Sequence, residues 1–117
     1  MTFQTIQKEV DTWIQDIWVT YFDEMTNLAQ LTEEVWEIAR VMVREYGEQS
    51  WKKWKKPEDP TQELGDEIAD VLFVLTCIAN QTWVDLQAVR DRWMDKRCNR
   101  DKERHWDNEK LTSKLET

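Results

Sequence analysis

The scarcity of turn-forming residues is what most constrains how this chain of 117 residues can fold. It contains two glycines and two prolines, and no segment alternates apolar and polar residues in the way that a half-buried strand does. Helices must therefore form most of the chain, and the expected fold class is all-α. The length suits one domain, so we expect a helical domain over 1–104 followed by a polar tail over 105–117.

Segments with apolar residues at helical spacing mark the expected helices. They run from about Thr5 to about Val19, from Asp23 or Thr26 to about Tyr46, from about Thr61 to about Gln81, and from Leu86 to about Asn99. Gly47 is a natural stop for the second helix, Thr61 or Gln62 lies near the cap of the third, and Asp85 is a good N-cap for the fourth. We expect a loop over Glu48–Pro60 and a frayed or disordered chain beyond the fourth helix.

The apolar faces of the second and third helices are wide. On the second helix the apolar set is Leu28, Leu31, Val35, Ile38 and Met42. On the third helix the direction expected to face the core is defined by Leu64, Ile68, Val71, Leu72 and Leu75. Long helices on so short a chain expose more apolar surface than one subunit can cover. We therefore expect a bundle of four to five helices that is completed by a second copy, in a homodimer or a homotetramer.

Charge and cysteine content exclude several classes of protein. The chain has 16 basic and 24 acidic residues, and its net charge of −8 disfavours binding to nucleic acid or to an anionic membrane. The longest apolar run, Val71–Ala79, is too short to span a bilayer, and there is no secretion signal. Cys77 and Cys98 are expected to be one core thiol and one surface thiol in a reducing cytoplasm.

Two pairs of carboxylates recur at a spacing of one helical turn. Glu34 and Glu37 form a pair on the second helix, and Glu67 and Asp70 form a pair on the third. Like charges at this spacing repel each other and weaken an isolated helix. Two such pairs on neighbouring helices are costly unless a cation neutralises them.

The helical register indicates which acids face a neighbouring helix. Glu67 lies nearest the apolar stripe of the third helix, and Asp70 lies at its margin. Glu34 borders the stripe of the second helix, whereas Glu33 faces away and would contribute only through a second packing surface or a partner subunit. Carboxylate ligands suit Mg²⁺ or Mn²⁺, and the only histidine, His105, lies in the tail, so a di-iron site is excluded. Acids on a solvated helix face remain an equally good reading of the spacing.

A resemblance to a known family rests on these same segments. TEEVWEIAR followed by ELGDEIADVLFVLTCIAN resembles the EExxE and ExxD signature of MazG-type pyrophosphohydrolases. The likeness continues through REYGE, NQTWVDLQ and DKRCNRDKER, and it covers about Lys8 to Arg104. The resemblance implies an all-α bundle assembled as a dimer or tetramer. It also implies hydrolysis of an NTP or dNTP between the α and β phosphates, which serves the house-cleaning of aberrant nucleotides.

The resemblance also implies roles for individual residues. Glu34, Glu37, Glu67 and Asp70 match the ligands of the Mg²⁺ or Mn²⁺ cofactor. Glu33 completes the Glu-Glu pair, and with Glu34 it is a candidate for orienting or activating the attacking water.

Candidate groups for binding the nucleotide lie further along the chain. Lys96, Arg97, Arg100 and Lys102 are candidates for gripping the phosphates. Asn80 could hydrogen-bond the sugar or the base. For each of these residues, a solvated or polar helix end is at least as good an explanation.

Two tryptophans stand where the family commonly has glycine. Trp36 lies between Glu34 and Glu37 on the second helix, where it would either pack and narrow the site or stack on a nucleobase. Trp83 lies where a glycine usually ends the third helix, a position that often needs a positive φ.

Two alternatives to the nucleoside triphosphate pyrophosphohydrolase stay open. The chain could be a catalytically silent helical oligomer with a structural metal or none, or a related enzyme acting on another pyrophosphate such as phosphoribosyl-ATP.

Overall fold

The computed structural model describes residues 1–18 and 20–116, and that part of the chain is helical without a strand. The all-α fold class is therefore confirmed. The α-helices are α1 (Phe3–Trp13), α2 (Glu24–Glu45), α3 (Pro60–Gln81), α4 (Leu86–Lys96), α5 (Lys102–Trp106) and α6 (Glu109–Thr112). A π-helical turn, Ile14–Trp18, extends α1, and a second, Arg97–Asp101, joins α4 to α5. A 3₁₀ turn, Ser113–Glu116, follows α6.

Side-chain caps fix where the long helices begin. The Asp23 carboxylate accepts a hydrogen bond from the Thr26 N–H at 2.7 Å, which confirms the first of the two expected starts of α2. The third helix was expected to begin around Thr61, with Thr61 or Gln62 near the cap. The cap is Asp59, and Pro60 is the first helical residue, where its missing N–H costs nothing. Asp85 caps α4 as predicted.

Two sequence-based boundaries need correction. The first helix was expected to be regular from Thr5 to Val19. Instead it begins at Phe3 and becomes π-helical at Ile14, and Val19 lies outside the described residues. The chain after Asn99 was expected to be frayed, but α5 and α6 form there, since Asn108 supplies a side-chain cap to the Lys110 N–H at 3.0 Å. The division into 1–104 and 105–117 stays a prediction.

The antiparallel pair of α2 and α3 is the centre of the fold. Asn27, early in α2, donates to Gln81, at the end of α3, with a nitrogen to oxygen distance of 2.6 Å. α1 packs on α3 and on α4. The buried apolar side chains are Ile14, Val41, Val74, Cys77 and Ala79. Cys98 is exposed, so the expected division into one core thiol and one surface thiol is confirmed.

The prediction of which face of α3 is buried in the core is wrong for the single subunit. Ile68, Leu72 and Leu75 are about half exposed, whereas Val74 and Cys77 are buried. The reason is that α3 packs on two helices, with α2 along one side and α1 near its C-terminal end. On α2, the predicted apolar residues Leu28, Val35 and Met42 are likewise left exposed.

Within the described chain, no single helix is long and apolar enough to cross a membrane. Only a bent pair, Pro60–Gln81 with Leu86–Trp106, meets the length and composition criteria when it is joined across its 108° bend.

Two tryptophans adopt the left-handed backbone conformation that favours glycine. Trp83 follows the end of α3 with a φ of 61°, and the Val84 N–H donates to the Ala79 carbonyl at 2.9 Å. This bond is the one that defines a Schellman C-cap, so the positive φ expected at Trp83 is confirmed. Trp54, with a φ of 71°, is the third residue of a β-turn closed by a bond from the Lys55 N–H to the Lys52 carbonyl at 3.0 Å.

A chain of polar side chains fastens α1 to α3. The Asn80 amide donates to the Gln7 carbonyl at 3.0 Å and to the Tyr21 hydroxyl at 3.1 Å, and it accepts from the Gln7 side chain at 3.0 Å. The Tyr21 hydroxyl in turn donates to Asp11 at 2.6 Å. Burial, and then the hydrogen bond to the Asp11 carboxylate, raise the pKa of Tyr21 to about 12.

This raised pKa predicts a loss of stability at high pH. An unfolded tyrosine ionises near pH 10, whereas the folded phenol keeps its proton to about pH 12. The contribution of Tyr21 is therefore fully present below pH 10 and is lost as the pH rises towards 12. Urea denaturation of wild type and Tyr21→Phe at pH 8 to 12 should show a stability difference that shrinks across that window. A constant difference would contradict the assignment.

Candidate metal centre

Three carboxylates meet where α2 and α3 pack. Glu34 on α2 and Glu67 and Asp70 on α3 each offer an oxygen atom, and these three atoms lie within 4.8 Å of one another. Glu67 and Asp70 lie on one face because they are three residues apart on a helix. Glu34 and Glu67 are half-buried, and Asp70 is exposed. The arrangement offers only hard oxygen ligands, as Mg²⁺ and Mn²⁺ prefer.

Crowding of negative charge perturbs the two half-buried acids. Burial, followed by repulsion from Asp70 and Glu37, raises the pKa of Glu34. Burial, followed by repulsion from Glu37 and Asp70, likewise raises the pKa of Glu67. Both ionised forms are therefore destabilised in the protein without a cation, and a bound divalent cation would relieve the strain.

The remaining predicted acids lie at the edge of this cluster. The Glu37 carboxylate accepts a hydrogen bond from Arg40 Nε at 3.2 Å, and its charge acts on both Glu34 and Glu67. Glu33 is exposed. A cavity of about 480 Å³ is lined by Thr32, Glu33, Glu34, Trp36 and Glu37. Three of the predicted acids, Glu33, Glu34 and Glu37, thus line one cavity, and Glu34 also meets Glu67 and Asp70 in the carboxylate cluster.

The predicted phosphate-binding residues lie elsewhere in the subunit. Lys96 ends α4, Arg97 and Arg100 lie in the π-helical turn that follows, and α4 packs on α1. The Arg97 guanidinium lies 5.3 Å from the centre of the Trp93 ring. Arg97 and Lys102 line a different cavity of about 640 Å³, together with His105. Within the described subunit, these cations and the carboxylates are not brought into one site.

Asn80 is also remote from the carboxylates. It lies ten residues after Asp70 on α3, which corresponds to about 15 Å along the helix axis. Both hydrogens of its amide are used in bonds to Gln7 and Tyr21. The position therefore fastens α1 to α3, and a contact with the nucleotide stays a prediction.

A group of basic residues that the sequence pattern did not indicate lies next to Glu37. Arg40 and Arg44, on the last turns of α2, line a cavity of about 240 Å³ with Lys52 and Lys55 of the following loop. The signal was present in WKKWKK, which was interpreted only as an exposed loop. The lysines line a cavity together with the arginines because the loop lies against the end of α2.

A family comparison decides the relationship. The model of the MazG nucleotide pyrophosphohydrolase domain matches residues 22–105, which include every acid of the cluster. This chain belongs to the MazG nucleotide pyrophosphohydrolase family. It is 42% identical over 103 residues to the uncharacterized protein YpjD of Bacillus subtilis (strain 168), covering 88% of this chain and 89% of YpjD.

Solved structures of MazG-type proteins have the same fold. The crystal structure of YpjD from Bacillus subtilis matches with a TM-score of 0.70 at 40% identity, over 86% of this chain and 96% of YpjD. The crystal structure of the Bacillus-conserved MazG protein, a nucleotide pyrophosphohydrolase, matches with a TM-score of 0.69 at 35% identity. That alignment covers 88% of this chain and 96% of the other. Fold and family together support a nucleotide pyrophosphatase.

Repulsion within the cluster predicts a crossover in thermal stability. In EDTA, Glu67→Gln should melt above wild type, because it removes one repelling charge. In Mg²⁺ the order should reverse, since binding at 100 times Kd stabilises wild type by about 2.7 kcal/mol and the variant loses a ligand. Differential scanning fluorimetry would measure both melting temperatures.

Asp66→Asn is the matched control for this experiment. It removes one negative charge from an exposed neighbouring position on α3 that lies outside the carboxylate cluster. Its response to Mg²⁺ should equal that of wild type. An unchanged Mg²⁺ response in Glu67→Gln would show that the cluster does not hold the ion.

Proposed function

We propose that this protein hydrolyses nucleoside or deoxynucleoside triphosphates between the α and β phosphates and releases the monophosphate and pyrophosphate. The observation that carries the proposal is the convergence of Glu34, Glu67 and Asp70 within 4.8 Å at the centre of a MazG fold. A purely structural helix pair gains nothing from three carboxylates that repel one another.

The donor set fits a resident Mg²⁺ or Mn²⁺ ion. Its acids are hard ligands, and two of them have raised pKa values that a cation would reverse. When bound, the ion polarises the phosphoryl oxygen and offsets the charge that develops in phosphoryl transfer. It also lets a chain with a net charge of −8 accept a polyanion.

Three acids of α2 have different roles in this proposal. Glu34 and Glu37 complete the ligand set with Glu67 and Asp70. Glu33 lines the same cavity and is exposed, so it can orient the attacking water and take its proton. Lys96, Arg97, Arg100 and Asn80 would contact the nucleotide from a second subunit, since their own subunit places them away from the acids.

Pyrophosphate release from a panel of NTPs and dNTPs with Mg²⁺ tests the activity. Wild type should release pyrophosphate, and Glu37→Gln should lower kcat/KM by about a hundredfold or more, because it weakens the charge stabilisation of the transition state. Trp36→Gly should raise the rate by opening the cavity beside the acids, where the indole is 60% exposed.

Asp66→Asn again serves as the control and should retain the activity of wild type. If neither wild type nor Trp36→Gly releases pyrophosphate, the catalytic assignment is wrong. The chain would then be the silent helical oligomer that the sequence also allowed.

We further propose that the working form is a homo-oligomer. The subunit exposes 9693 Å², whereas a compact monomer of 14.2 kDa exposes about 6,800 Å². Its radius of gyration is 18.5 Å, against about 13 Å for a compact domain of this length. The excess of about 2,900 Å² per subunit, or about 5,800 Å² for a pair, reaches the upper end of the total area that obligate homodimers bury. Much of it is apolar, with Leu72 52% exposed and Ile68 44% exposed on α3.

Sedimentation velocity measures this association. Wild type should sediment as a dimer or larger at micromolar concentration, and Leu72→Glu should shift it towards the monomer by placing a charge in the apolar contact. Lys56→Glu, an exposed site on the loop, is the control and should leave the assembly intact. A wild-type monomer would contradict the proposal.

A further inference from the structure

A basic cleft lies directly beside the carboxylate cluster. It is a cavity of about 240 Å³, lined by Trp36, Arg40, Arg44, Trp51, Lys52 and Lys55. Four of its six lining residues carry a positive charge, in a chain whose net charge is −8. Such a concentration of cations against the overall charge marks a place where an anion can bind.

The cleft and the metal centre share a wall. Trp36 lines both the basic cleft and the cavity of the acids. Arg40 lies one helical turn beyond Glu37 on α2 and donates to its carboxylate from Nε at 3.2 Å. An extended ligand at the carboxylates could therefore continue along α2 into the cleft.

The arginines of the cleft are held in place by the protein. Arg44 Nη1 donates to the Arg40 carbonyl at 3.0 Å, and the guanidinium lies 5.9 Å from the centre of the Trp51 ring. Trp51 Nε1 donates to Glu45 at 3.2 Å, which anchors the loop to the end of α2. Preorganised guanidinium groups lose little freedom when they bind phosphate oxygens.

We propose that the basic cleft binds the β and γ phosphates of the nucleoside triphosphate, the part that leaves as pyrophosphate. This rests on the proposed function, which places the α to β bond at the metal centre. The cleft lies on one side of the acids, so the nucleoside extends to the other. The fixed positive charges of the arginines and lysines would stabilise the leaving group as the bond to the α phosphate breaks.

Lysines that line the cleft alternate along the loop with lysines that do not, which provides a matched test. Lys52 and Lys55 line the cleft, whereas Lys53 and Lys56 are not among its lining residues. Isothermal titration calorimetry with Mg²⁺ would measure the affinity of pyrophosphate for wild type, for Lys52→Ala with Lys55→Ala, and for Lys53→Ala with Lys56→Ala. We expect the first double variant to lose about tenfold or more in pyrophosphate affinity, because it loses two charge-assisted contacts. The second should lose little.

The nucleoside monophosphate serves as the second probe. Both double variants should bind it as wild type does, because it lacks the phosphates assigned to the cleft. Equal losses of pyrophosphate affinity in the two double variants, or a selective loss of monophosphate affinity in the first, would overturn the proposal. Failure of the proposed function would be visible separately, as absence of hydrolysis by wild type whatever the pyrophosphate affinities.

An independent inference comes from the two left-handed tryptophans. In the described chain, Trp54 and Trp83 are the only residues other than glycine with a positive φ, and neither glycine has one. Their side chains are 90% and 93% exposed, so no packing compensates for the backbone strain. Glycine is the usual residue at the third position of a β-turn in which that residue has a positive φ. It is also the usual residue directly after the C-cap in a Schellman motif.

Composition points in the same direction. The chain has eight tryptophans and two glycines, whereas average usage would give about eight glycines in this length. The UGA codon specifies tryptophan in some genetic codes and glycine in others. We infer that the source organism inserts glycine at positions 54 and 83, where this sequence has tryptophan.

Peptide mass spectrometry of the protein from its source cells tests this inference directly. Peptides that span positions 54 and 83 should be lighter by the difference between a tryptophan and a glycine residue. Tryptophan masses at both positions would overturn the inference. In the recombinant chain, Trp83→Gly should raise the folding equilibrium constant roughly fivefold over Trp83→Ala, which keeps the strain. Equal stability of these two variants would also count against it.

Discussion

Electrostatic repulsion between α2 and α3 is the constraint on which the rest of the structure depends. The two helices pack antiparallel along their length and carry facing carboxylates, so the centre of the fold stores unfavourable charge. Burial and repulsion from Asp70 and Glu37 raise the pKa of Glu34 and of Glu67, which means that ionisation of each costs more than in water. A cation held at these oxygens would relieve the repulsion, so ion binding and stability would be linked at the same atoms.

Positively charged side chains follow one another along α2, starting next to the acids. Arg40 touches Glu37, and Arg44 and the loop lysines lie further along α2. Along the helix, a ligand would pass from the carboxylates to the fixed cations. This polarity suits the proposed substrate, whose negative charge is spread over several phosphates.

Helix content, most helix ends and the carboxylate pairs could be predicted from the sequence, because they depend on local spacing. Asp85 was predicted correctly as a cap from its side-chain chemistry, and Asp23 was one of the two expected starts of α2. The core direction of α3 could not be predicted, because it depends on where α1 packs. For the same reason, the hydrogen bonds of Asn80 to α1 and to Tyr21 could not be predicted. The basic cleft was missed because it joins a helix to a loop whose path local spacing does not determine.

The attachment of α1 has a consequence for how the molecule opens. Among the residues of Phe3–Trp13 none is fully buried, and the helix is held by Gln7, Asp11 and an edge-on contact between Trp13 and Phe73 at 5.7 Å. Hydrogen bonds of this kind contribute far less than the long apolar contact of α2 with α3. We therefore expect α1 to open locally, so that its amides exchange with solvent while α2 and α3 stay packed.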